Sequence, residues 1–160
     1  MNLNWLVTGR GSSDLREEGL GLVEEPAVTA PVYVLVKSDV PGWFERQSLH
    51  TDVLAPELET GDQPFAVVMT GDALSPVGIL PGAVCVCSPE RGQVVRDTLG
   101  YIQRPDARSA VRILRSFSSK GIVTAHWLSG DDGAWRLHEE MVPAVDIALY
   151  APVLWIRASL

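Results

Sequence analysis

The side chains able to do chemistry gather around one stretch, Pro64 to Pro89 (PFAVVMTGDALSPVGILPGAVCVCSP). Its centre, Gly71-Asp72-Ala73-Leu74-Ser75-Pro76, reads as a loop that exposes Asp72, Ala73, Leu74 and Ser75. A serine hydroxyl becomes a useful nucleophile only when a neighbouring base takes its proton. The chain has two lysines, Lys37 before the loop and Lys120 in a turn, and neither sits in a strand context that would serve Ser75. Cys85 and Cys87 alternate along one run, so both point to the same face of a strand. Such neighbours make a poor disulfide, and they read as small buried hydrophobes. A metal or redox role would need further ligands, and His50, His126 and His138 are not spaced to supply them. No metal and no cofactor is therefore expected.

The elements that must hold this loop follow from the pattern on either side. Phe65 to Thr70 is apolar and rich in β-branched residues, which suits a buried strand. Gly71 and Asp72 stop it, Pro76 and Gly78 punctuate a short helical turn, and Pro81-Gly82 is a turn pair before the strand Val84 to Cys87. Earlier, Val32 to Val36 is a strand, Pro41-Gly42 a turn, and Trp43, Phe44 and Leu49 a partly buried patch. Leu54 to Asp62 reads as loop, and Glu90-Arg91-Gly92 as a turn. Thr98 to Arg104 and Ala110 to Phe117 form a hairpin around residues 105–108. A turn at Ser118 to Gly121 leads into the strand Ile122 to Leu128. The Gly130-Asp131-Asp132-Gly133 turn, a short strand Trp135 to His138 and the closing strand Val153 to Ile156 follow. Short strands with frequent turns indicate a mainly β domain with short helical turns.

The chain has 160 residues, enough for one domain with its own core, and a formal charge of −7. Scattered basic residues on an acidic chain give no electrostatic grip on a nucleic-acid backbone. No apolar run is long enough to span a membrane, and no secretion signal is visible. The expected location is cytoplasmic.

The loop and its flanks resemble the C-terminal domains of LexA and phage-CI-like repressors, which are serine peptidases of the S24 type. In that family a strand leads into Gly-x-Ser-Met-x-Pro or a near variant, then into a second turn and strand. Gly71-Asp72-Ala73-Leu74-Ser75-Pro76 stands in the first place and Leu80-Pro81-Gly82-Ala83-Val84 in the second. The resemblance implies a LexA C-terminal-domain-like, β-clip-containing fold over residues 31–160. It also puts the nucleophile position at Ala73. The family's base is a lysine in a Val-Lys-Arg-Leu-like strand, and the matching run Ala110-Val111-Arg112-Ile113-Leu114 holds Arg112 there. A guanidinium stays protonated in proteins and is no base. Neither member of the dyad is intact.

Residues 1–11 resemble the closing helix of XRE-type helix-turn-helix domains, with Leu3, Trp5, Leu6, Gly9 and Gly11 in the places of a Leu-x-Trp-Leu-x-x-Gly-x-Gly pattern. This implies a remnant of a DNA-binding domain missing from the chain, joined by an acidic linker over 12–30. The scissile Ala-Gly or Cys-Gly of self-cleaving relatives occurs nowhere.

The expected function is the oligomerisation and regulatory domain of a repressor-like transcriptional regulator, degenerate as a peptidase. Its expected partners are a second copy of itself, operator DNA through the missing domain, and an antirepressor or other regulatory protein, with no membrane. The alternative is a self-cleaving peptidase repressor trapped by a Ser→Ala change at Ala73. A third reading is a small-molecule-binding β domain using Trp43, Trp127 and Trp135. Arg112 either pairs with Asp72 across the vacated cleft or points to solvent. Leu154, Trp155 and Ile156 are either part of a dimer interface or a core strand.

Overall fold

The computed structural model describes residues 28–55, 63–89 and 93–160. The expected helix-turn-helix tail, all but the last three residues of the expected linker, residues 56–62 and the turn at 90–92 lie outside the described residues. The protein is mainly β. Nine strands form one mixed sheet: β1 Thr29–Lys37, β2 Phe44–Leu54, β3 Phe65–Val68, β4 Val84–Cys87, β5 Leu99–Gln103, β6 Ser109–Ser118, β7 Gly121–Ser129, β8 Trp135–Pro143 and β9 Leu149–Arg157. Their order is β2-β1-β3-β4-β9-β5-β6-β7-β8, and only β1 and β3 run parallel. A single pair, Phe44 with Ser109, joins β2 to β6 and turns the order back on itself. The β7–β8 hairpin extends beyond that seam. No helix among the described residues is long and apolar enough to cross a membrane.

The first strand starts two residues before the expected domain boundary. Ala30, expected in the linker, is fully buried with Val32, Ala66, Val84, Val86 and Trp155. Strand β2 departs further from expectation. Its sequence, FERQSLHTDVL, has no apolar alternation and lies mostly exposed. Backbone pairing with β1 and not burial makes it a strand. A bulge opposite Pro31 and Tyr33, where His50 takes a φ of 54°, breaks its register. The expected patch divides accordingly: Trp43 is buried, Phe44 is half-buried and Leu49 is exposed.

Strand β4 explains how the core is shared. Cys85 and Cys87 face a cluster with Leu35, Val67, Leu74, Tyr101 and Val111, while Val84 and Val86 face the Trp155 cluster. Both faces are covered, so its four residues are all apolar and all buried. Burial pushes the Cys85 thiol up to about 12 and that of Cys87 well above its ordinary value, so neither is a reactive thiolate. A third cluster gathers Trp43, Ile102, Ala110, Leu114, Ile122 and Val142.

The closing strand lies inside the sheet, between β4 and β5. Trp155 is only 5% exposed. Trp155 is thus a core side chain, whereas Leu154 and Ile156 on either side of it are half-buried. Trp155→Ala is expected to lower the unfolding free energy by about 3–5 kcal/mol, measured by urea denaturation.

Candidate functional site

The loop after β3 is built by backbone bonds and one anchor. The Met69 N–H donates to the Ala83 carbonyl (2.9 Å) and the Gly82 N–H to the Met69 carbonyl (2.6 Å), which closes its neck. The Thr70 hydroxyl donates to the Leu35 carbonyl and ties the neck to β1. Beyond it, the Ser75 N–H reaches the Asp72 carbonyl at 3.0 Å and starts a 3-10 turn over Ser75–Val77. Gly78 ends the turn at φ 91°, a left-handed value that favours glycine. Leu74, expected at the surface, is fully buried and packs with Met69, Ile79, Ala83 and Val111. Its carbonyl accepts from Val77 and Ile79 (3.1 and 3.2 Å). Asp72 and Pro76 are exposed, and Gly71, Ala73 and Ser75 half-buried. A Cβ at Gly71 would come within 3.1 Å of the Phe44 ring, so the loop lies tightly against the start of β2.

The other half of the site is Arg112, which is 1% exposed. Its guanidinium lies 4.3 Å from the centre of the Trp43 ring. Nη1 donates to Glu140 Oε1 at 2.7 Å and to Thr124 Oγ1 at 3.2 Å, and Nη2 donates to the Gly42 carbonyl at 2.6 Å. The Thr124 hydroxyl donates its own hydrogen bond to the Glu140 carbonyl (3.1 Å), and the Trp43 side chain also hydrogen-bonds the Glu140 carboxylate. Gly42 has a φ of 82°, and a Cβ there would lie 3.2 Å from Arg112 Nη2. A glycine thus lets the backbone approach the guanidinium.

The charges of this cluster are set by burial and by each other. Burial lowers the pKa of Arg112 against the pull of Glu140, yet the group stays a cation. Burial raises Glu140, but the hydrogen bond and charge of Arg112 and the bond from Trp43 outweigh it and hold the carboxyl below its ordinary value. His126 is 5% exposed and packs edge-on against His138, with ring centres 5.2 Å apart. Burial first, then the Arg112 charge, push His126 down to about 4.

One hydrogen bond connects the two halves. The regular β6–β7 ladder reaches Ile113 opposite Ala125. In the same register Trp127 would face Val111, but its N–H donates to the Ala73 carbonyl at 2.9 Å. The loop thus enters where β6 and β7 part, and Ala73 and Arg112 belong to one neighbourhood. Leu74 shares a core with Val111, whereas Arg112 lies on the face that Trp43 covers. Neither expectation for Arg112 holds. It does not point to solvent, and its carboxylate partner is Glu140 instead of Asp72.

Ala73 offers only a methyl group and Arg112 a fixed cation, so these positions supply neither nucleophile nor base. Lys37 ends β1 opposite Phe44, and Lys120 lies in the β6–β7 turn. Of the three tryptophans proposed as a ligand site, Trp43 covers Arg112, while Trp127 and Trp135 share one face of the β7–β8 hairpin, so the three do not come together. A surface cavity of about 440 Å³ lies elsewhere, among charged groups of Asp39, Glu45, Arg46, Asp106 and Arg108. Compared with known proteins, the chain matches no family model and no curated sequence.

Glu140→Ala is expected to cost about 2–4 kcal/mol, because it strands a buried cation, whereas Asp72→Ala leaves the melting temperature unchanged in calorimetry. The His126 shift has a defined pH signature. Its folded value of about 4 lies below the unfolded value of about 6.5. Between those limits the unfolded chain binds the extra proton, so stability is full above the upper limit and falls as pH drops through the window. The fall amounts to about 3 kcal/mol. His126→Gln is expected to flatten that part of the curve in urea titrations at a series of pH values.

Proposed function

We propose that the chain is the assembly and regulatory domain of a LexA- or phage-CI-like transcriptional regulator that has lost self-cleavage. The observation that carries this reading is the state of the two motif positions. A loop of the family's pattern is docked at the strand next to β6, with Ala73 at its tip, while the base position on β6 is filled by Arg112 in a closed set of hydrogen bonds. The strand–loop–strand order, with the Arg112 strand downstream, supports the finer description as a β-clip-containing LexA-type fold. A lysine at such a place acts as base by giving up its proton in a low-dielectric setting. An arginine that is anchored to a carboxylate turns the same place into a structural tie.

The domain then serves to bring copies of a DNA-binding domain to the half-sites of an operator, so that protein symmetry matches DNA symmetry. It acts in the cytoplasm. Release from DNA requires an event other than cutting of the linker, and binding of an antirepressor-type protein to this domain is the event we favour. The test is direct. Ala73→Ser, incubated at alkaline pH, is expected to remain intact, because no base stands ready to activate the new hydroxyl. Cleavage within residues 12–29, followed by mass spectrometry, would instead identify a self-cleaving peptidase whose nucleophile had been replaced.

A further inference from the structure

Strand β8 ends the sheet order and is paired on one side only among the described residues. It is nine residues long and its ladder with β7 runs without a bulge from Trp135 to Pro143. An edge of this kind is open to a further strand, and proteins usually shorten, kink or cover it. Here the proline comes only at the last position. Trp135, Leu137 and Met141 share one face, with Glu139 between the last two, and are 39%, 44% and 44% exposed. Val123 and Trp127 of β7, both half-buried, lie beside Met141 and Leu137 and continue the apolar surface.

The charges of β8 select its partner. Laid antiparallel on a copy of itself about His138, the strand places Arg136 opposite the copy's Glu140 and Trp135 opposite the copy's Met141, each twice by symmetry. Leu137 stands opposite the copy's Glu139 and meets the copy's Leu137 on the diagonal, while Arg115 of the same molecule lies 3.5 Å from that carboxylate. Moving the centre to Glu139 puts two Glu139 carboxylates face to face and Trp135 against a proline, and like charges directly opposed are destabilising. The Glu140 side chain is 35% exposed while holding Arg112, so the carboxylate keeps an open side for a second cation. Arg136 is itself exposed and bound only to the surface carboxylate of Asp132.

We propose that a second copy of this chain adds to β8, edge to edge and antiparallel, with the two-fold axis at His138. The result is one sheet continuous through two molecules, with each hairpin's apolar face forming half of the contact. This names the surface for the assembly role proposed above and rests on that role.

The experiment is sedimentation equilibrium of the whole chain over a concentration series, with single variants in β8. Wild type is expected to dimerise, and Leu137→Lys and Arg136→Glu each to weaken the dimer by about tenfold or more while leaving the circular dichroism spectrum and melting of the monomer unchanged. Because Cys85 and Cys87 are buried, a thiol added at the surface reports alone. His138→Cys is expected to form a disulfide-linked dimer without reductant, and Leu128→Cys, exposed on β7 away from the edge, is not. A wild-type dimer that ignores both substitutions and does not crosslink through residue 138 overturns the β8 surface but leaves the assembly role standing. A chain that stays monomeric at every concentration overturns both.

Discussion

Burying a guanidinium is the most demanding act of this fold. An unpaired cation at 1% exposure would cost several kcal/mol. Each neighbour of Arg112 is placed to prevent that. The Gly42 carbonyl, the Thr124 hydroxyl and the Glu140 carboxylate accept its hydrogen bonds, and the Trp43 face supplies a cation–π contact on the remaining side. These residues come from the β1–β2 connection, β7 and β8, so one side chain on β6 ties four segments together. A lysine would carry a compact charge at the end of a flexible stem. Arginine's planar fork reaches several acceptors in one plane, and that suits a position whose task is to hold.

The loop before β4 is held in place for a related reason. Its side chains are core. Leu74 and Ile79 fill the cluster that β3, β4 and β6 enclose, and the Ala73 carbonyl takes the Trp127 N–H where β7 has left its ladder with β6. None of this packing depends on what side chain stands at position 73. On the proposed reading the scaffold of a cutting site persists because the sheet needs it, independent of catalysis.

The run of apolar and β-branched residues in β3 and β4, and the glycine and proline turns around them, were legible because they are local. So was the burial of both cysteines on one face of β4. Strand β2 was not, since its polar residues are ordered by backbone pairing with β1 and carry no burial pattern of their own. The partner of Arg112 was hidden by a different cause. Counting back from the turn at Ser118–Gly121 puts Arg112 opposite Trp127, but an extra residue at Arg115 shifts the ladder by one between Leu114 and Ser116. The shift turns Arg112 onto the same face as Thr124, His126 and Glu140. No local signal marks that bulge. Trp155 was ambiguous because an apolar run reads alike in an interface and in a core, and only its place between β4 and β5 decides.

The seam between β2 and β6 is a single rung, Phe44 with Ser109. Trp43 and Gly42 stand directly beside it, and Phe44 leans on the loop at Gly71. A ring is as cooperative as its narrowest joint. The indole roof, the carbonyl acceptor and the backing of the loop thus all stand within two residues of that rung. Whatever grips or pries at this corner of the molecule acts on the whole ring, because the weakest closure and the most exacting charge share one hinge point.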